Sequence, residues 1–316
     1  MVGDIISYRD KVYDILPEDA SVLALLEDHS AFFEGPVWIS EGAEGHLIFT
    51  DIVRELILKW EEGGKVDVIA DRFSQTSTNA QSLTFDLGNR SVVLRGPDGL
   101  ALDDEGRIVY CGFGLRHLGR IEKGGRRTVL AERYRGRLLN SPNDVIVKSD
   151  KSIYFTDSSA DVTRADSDPD KGVSYSGVYR WSEGEISLLD NDFSTANGLA
   201  FSPDEKYLYV NDTRRKLIWR FEVDSAGLLG TRVKFCDMND DPAEGVPDGM
   251  KVDKVGNVYC TGPRGLWILS PDGAKLGVIR TRERLTNLAF GGRDGSTLFM
   301  TGPSFLWRVR LARNPL

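Results

Sequence analysis

The 316-residue chain has 41% hydrophobic and 28% charged residues, a globular composition with material for a large core. Its formal net charge of -8 and pI near 5.1 disfavour phosphate backbones and acidic membranes, so neither nucleic acid nor a membrane is expected as a partner. Cys111, Cys236 and Cys260 are too few and too widely spaced for a disulfide framework or a zinc knuckle, which suits a reducing, cytoplasmic setting.

Residues 1–20 contain an early acid, Asp4, and no apolar stretch of signal-peptide length. They read as an N-terminal extension, and no later window is apolar for long enough to span a bilayer. The sequons at Asn89 and Asn211 therefore carry little meaning. Ser21–Leu26 (SVLALL) is an apolar strand ahead of the first copy of a repeated module.

That module occurs six times. It begins at Glu34 (EGPVWISEGAEGHLIFTD), Asp98 (DGLALDDEGRIVYCGF), Asn143 (NDVIVKSDKSIYFTD), Asn197 (NGLAFSPDEKYLYVND), Asp248 (DGMKVDKVGNVYCTG) and Asn287 (NLAFGGRDGSTLFMTG). Each copy is an acid or amide, an alternating apolar strand, a turn rich in Asp and Gly, and a second strand, which is the pattern of a β-hairpin. Aromatic and β-branched runs between copies, such as Leu56–Trp60, Gly177–Trp181 and Leu217–Phe221, supply a second hairpin to each unit. The heads lie 64, 45, 54, 51 and 39 residues apart. Propeller blades run to about 40 to 50 residues.

The expected fold is therefore all-β, a six-bladed propeller of four-stranded antiparallel blades forming one domain over residues 1–316. Ser21–Leu26 is expected to close the ring with the last blade. The long first interval holds an insertion over residues 72–95, read as either a loop over the channel or a solvated excursion.

In a propeller the innermost strand of each blade lines the channel, so the six heads Glu34, Asp98, Asn143, Asn197, Asp248 and Asn287 converge at one rim. All are hard oxygen donors, suited to Ca²⁺ first and to Mg²⁺ or Mn²⁺, with Zn²⁺ an alternative. Asn and Asp also cap turns at strand starts, so each position alone has a purely structural reading. Three carboxylates around one axis would repel one another without a cation, which favours the metal reading for the set.

The stretches Glu34-Gly-Pro-Val-Trp, Asn140-Ser-Pro-Asn-Asp, Asn197-Gly-Leu-Ala-Phe and Pro247-Asp-Gly-Met resemble signatures of the SMP-30/gluconolactonase/LRE family. The resemblance implies a single divalent cation on Glu34, Asn197 and Asp248, with Asn143 as a fourth residue binding metal or substrate. It also implies hydrolysis of a sugar lactone or related cyclic ester, with Asp248 or a metal-bound water as base. Asp98 and the Cys111–His117 stretch depart from the family's pattern and leave the substrate open. Asp98 and His117 are the candidate substrate contacts, although a lone histidine near a strand end is more often a satisfied structural residue.

No GxSxG elbow, Rossmann turn, P-loop or HExxH is present. The competing readings keep the scaffold: phosphotriester hydrolysis, a biosynthetic cyclisation, or a non-catalytic binding propeller with a structural ion. No surface stretch marks an oligomer interface.

Overall fold

The computed structural model describes residues 3–42, 44–88, 90–159 and 172–316. The six modules fold as six antiparallel sheets. Blade 1 comprises Phe33–Glu41, Glu44–Asp51, Leu56–Trp60 and Val66–Ala70 in sequence order from the inside outwards. Blades 2, 3 and 4 repeat the pattern from Leu100–Leu102, Pro142–Val147 and Ala196–Phe201. Blades 5 and 6 start at Met250–Val252 and Asn287–Gly291. Each innermost strand touches the innermost strand of the next blade, and the strand of blade 6 touches that of blade 1, so the ring closes.

Closure is two-part. Leu23–Glu27 is the outer strand of blade 6, with Leu23 opposite Arg308 and Glu27 opposite Phe305, as Ser21–Leu26 had suggested. Residues 1–20 are more than an extension. Ile5–Ser7 adds a fifth strand to blade 5, pairing Ile5 with Ile279, and Val12 and Leu16 of the following turn are fully buried beneath blades 5 and 6.

Six apolar clusters fill the seams between neighbouring blades. Blades 6 and 1, for example, share Phe33, Leu47, Phe49, Trp60, Phe299 and Leu306, with Trp38 stacked on Phe299 at 5.4 Å. Period-2 alternation sends successive side chains of one strand into the two seams that flank its blade, which is why the modules read as nearly continuous apolar runs. The three cysteines are free and buried within these layers. Among the described residues no helix is long and apolar enough to cross a membrane.

The insertion is built. Leu83–Asp86 and Ser91–Leu94 form a hairpin outside the six blades, over a seventh cluster of Phe32, Ile52, Val92, Leu94 and Phe113. Asn89 lies outside the described residues. Asn211 is fully buried, so its sequon presents no acceptor at the surface.

Candidate active site

The heads of the modules sit in or beside irregularities of the inner strands. In blade 1 the pairing steps from Glu34–Thr50 to Val37–Ile48, leaving Gly35 and Pro36 out of the ladder. Blades 3 and 4 make the same step around Asn143 and Asp144 and around Asn197 and Gly198. Such bulges turn side chains out of the sheet plane, here toward the channel.

The glycine after most heads has a steric reason. A Cβ on Gly198 would lie 2.0 Å from the Asp248 carbonyl oxygen, and one on Gly249 would lie 2.2 Å from the Asn287 side chain. Gly35 likewise abuts the Asp98 carbonyl oxygen, and Gly99 abuts Asp144. Blades 1, 2, 4 and 5 thus press bare backbone against the head region of the next blade, and the heads are drawn into one ring.

Side chains at the end of the second strand fix those heads. Thr50 Oγ1 donates to the Asp98 carbonyl at 3.0 Å, and Asn211 Nδ2 donates to the Asp248 carbonyl at 2.5 Å. Thr156 Oγ1 and Thr261 Oγ1 accept the amides of Asp144 and Asp248. The buried acids Asp51, Asp157 and Asp212 one residue further on accept backbone N–H groups of the loops leading to the heads, which gives them a structural role.

Four carboxylates converge inside the ring: Glu34, Asp98, Asp144 and Asp248. All are buried or nearly so. Burial, and then the charge of Asp248, pushes Glu34 well above the ordinary carboxylate range, although the Gly35 amide (2.7 Å) and Asn287 Nδ2 (2.8 Å) hold its Oε2. Burial and the charge of Glu34 push Asp98 up in the same way. Asp248 rises to about 7, chiefly by burial, with Arg284 and the Asn197 amide acting in the other direction. Asp144 is also raised by burial, opposed by Lys251. Its Oδ1 accepts the Val145 amide at 2.9 Å, while Oδ2 is buried without a hydrogen bond, the neighbouring Asn287 amide being directed to Glu34.

The amides complete the set. Asn143 Nδ2 donates to Asp98 Oδ2 at 3.0 Å, leaving its carbonyl oxygen as the remaining acceptor. Asn197 Nδ2 donates to Thr213 Oγ1 at 3.1 Å, which in turn donates to the Pro247 carbonyl. Glu34, Asp98, Asn143, Asn197 and Asp248 are therefore brought together as expected from the repeat.

Sequence reasoning missed Asp144. Its signal was positional: the residue after the head is glycine in four modules and leucine in blade 6, and only blade 3 places an acid there.

His117 is not brought to this ring. It is 3% exposed, its Nε2 lies 3.1 Å from Tyr110 Oη, and Tyr110 packs on Phe73 in the seam between blades 1 and 2. Burial holds its imidazole down at about 4, so it is neutral at physiological pH. Pairing of His117 with Gly112 points the ring to the Tyr110 side of the sheet, not to the channel. Tyr110→Phe is expected to lower the unfolding free energy by about 1 kcal/mol in urea titrations. Divalent-cation binding measured by calorimetry should stay unchanged.

The ring suits a hard divalent cation. Among the described residues, Arg284 opposes the charge of Asp248 and Lys251 that of Asp144, and the donors of this ring of four desolvated carboxylates are carboxylate and amide oxygens. Among the described residues no three His, Cys, Asp or Glu side chains form a metal-binding group by themselves. The candidate set draws on the amide of Asn197 as well as on Glu34 and Asp248.

The SMP-30/Gluconolactonase/LRE-like region model matches residues 32–303. A gluconolactonase of Zymomonas mobilis is 31% identical over 98% of this chain and 86% of its own length. The pentonolactonase XacC of Haloferax volcanii is 26% identical over 85% of the chain and 80% of its own length. The solved structure of XC5397, a gluconolactonase from Xanthomonas campestris, superposes with a TM-score of 0.81 at 30% identity, covering 98% of this chain and 97% of that one.

Proposed function

The chain belongs to the SMP-30/gluconolactonase/LRE-like family, and on that premise we propose that it hydrolyses sugar lactones and related cyclic esters at a divalent-cation site. The carrying observation is the convergence of Glu34, Asp98, Asp144 and Asp248 with the amides of Asn143 and Asn197 at one end of the channel.

Glu34, Asn197 and Asp248 would hold the cation, Ca²⁺ by preference, with Asn143 as a further ligand or a contact to substrate. When bound, such an ion is a Lewis acid that polarises the ester carbonyl and steadies the oxyanion. Asp248 receives a proton from the attacking water while the water oxygen bonds to the acyl carbon. The bond from acyl carbon to ring oxygen then breaks, the ring oxygen takes the proton from Asp248, and a hydroxy acid leaves with Asp248 ionised again. Burial lifts Asp248 to about 7 on its own, and a bound cation would draw it back down, keeping the carboxylate ionised and able to accept a proton.

The buried surroundings support this reading over a solvated ion plug. The seams exclude water from behind the ring, so charges within it interact in a low-dielectric setting. Asn143, tied to Asp98, is positioned to orient a lactone oxygen.

The test is a panel of δ- and γ-lactones run after chelation and after return of Ca²⁺, Mg²⁺, Mn²⁺ or Zn²⁺. Acid release is expected to disappear on chelation and to return most fully with Ca²⁺. Full turnover in chelator, or no turnover of any lactone with any of the four ions, would sink the reading.

A further inference from the structure

Beside the carboxylate ring stands a cation, Arg284, whose charge opposes the rise of Asp248 but whose N–H groups the proposed chemistry does not use. Arg284 lies in the connection between blade 5, which ends at Arg280, and the head Asn287 of blade 6. It is half-buried, and its charge is opposed by burial and favoured by Asp248. Its guanidinium carbon sits 5.0 Å from the ring centre of Phe85, in the insertion hairpin. Among the described residues its N–H groups carry no hydrogen bond.

The hairpin is fastened so as to keep Phe85 there. The Phe85 ring meets Phe32 edge to face at 6.1 Å. Arg90, at the end of the turn, donates to the carbonyls of Ala31 (2.8 Å) and Pro303 (3.2 Å) in the blade 6 to blade 1 region. At the other end of the insertion, Gln81 Nε2 donates to the Asn140 carbonyl at 2.9 Å and to Ser141 Oγ at 3.1 Å, at the entry to blade 3. The insertion thus runs along the rim from blade 3 to blade 6. Glu283, beside Arg284, accepts the amides of Ser304 and Phe305 and pins the connection from below.

We propose that Arg284, braced on Phe85, is the specificity residue that reads the hydroxyl groups of a polyhydroxylated lactone whose carbonyl lies at Asp248. The inference rests on the lactonase reading and deepens it. A guanidinium held over an aromatic ring keeps N–H groups free for paired hydrogen bonds, and an arginine so braced loses less freedom on binding. Neighbouring ring hydroxyls of a sugar lactone offer such paired acceptors. A strongly anionic substituent would also meet Asp98 and Asp144, so the hydroxyl-rich, uncharged lactones are the class that the site favours.

The experiment compares glucono-1,5-lactone with unsubstituted δ-valerolactone in the intact protein with Ca²⁺. Arg284→Ala is expected to lower kcat/KM for gluconolactone by about 10- to 100-fold, mostly through KM, which is the range for a lost charge-assisted hydrogen bond. Valerolactone turnover should fall at least about tenfold less than gluconolactone turnover, the shared part of the loss being the charge removed from beside Asp248, since no hydroxyl is there to be read. Arg284→Lys should fall between. Phe85→Ala, outside the six blades, should reproduce the same selective loss at smaller size and carries the test if Arg284→Ala lowers the melting temperature. Equal losses on both lactones would make Arg284 a mere charge partner of Asp248 and overturn the inference, as would an unchanged gluconolactone KM in both variants. A parent protein that opens neither lactone would instead overturn the lactonase reading itself.

Discussion

Asp248→Asn is expected to lower kcat for lactone hydrolysis by about 10³- to 10⁴-fold, the upper range for loss of a positioned base. The substitution keeps an oxygen donor of nearly the same shape, so it removes the proton acceptor with the least disturbance to the cation set. The backbone around it is over-determined: its amide is held by Thr261, its carbonyl by Asn211, and Gly198 presses on the same carbonyl. The Asn variant should therefore fold like the parent and still bind Ca²⁺ in calorimetry, with weakened affinity. Asp248→Ala should lose both cation affinity and turnover. Activity of the Asn variant within about tenfold of the parent would show that Asp248 is not the base and confine it to holding the ion.

The fold and most of the site were legible because they repeat. Six copies with one polar head give six blades and a ring of heads, and the close approach of Gly35, Gly99, Gly198 and Gly249 to neighbouring heads explains why that dipeptide pattern recurs. What the repeat does not encode was harder to see. Ile5–Ser7 is only three residues long and lacks a turn partner in sequence, since its partner, Lys275–Arg280, is far along the chain. Asp144 hid behind Asn143, which drew attention as the head although the departure from glycine was one residue later. Arg284 lies between strands, where no periodicity points to it, and only the folded insertion brings Phe85 to its face. His117 had two readings, a pocket residue close to a departure from the family pattern or a satisfied structural histidine near a strand end, and strand pairing turns it into a seam, in keeping with the second.

Removing the cation should change stability as well as activity, and in a pH-dependent way. Burial raises Glu34, Asp98, Asp144 and Asp248 above their ordinary values, neighbouring carboxylates add to it at Glu34, Asp98 and Asp248, and Asp248 reaches about 7. A carboxylate with a raised folded pKa binds its proton more tightly folded than unfolded, so stability in chelator falls as pH climbs from about 4 to 7. For Asp248 the penalty is absent below that window and complete above it, and the other three add to it in the same direction. A saturating cation needs the ionised ligands and opposes the trend, so the stabilisation by Ca²⁺ should be small near pH 5 and largest near pH 8. At a hundredfold excess over Kd it amounts to about 2.7 kcal/mol, roughly 5 °C in Tm for a domain of this size. Glu34→Gln separates the two effects: with one fewer charge in the ring it should melt higher than the parent in chelator at pH 8, and it should lose most of the Ca²⁺ shift. A Ca²⁺ shift that is the same at pH 5 and pH 8, or that survives intact in Glu34→Gln, would place the ion somewhere other than this ring.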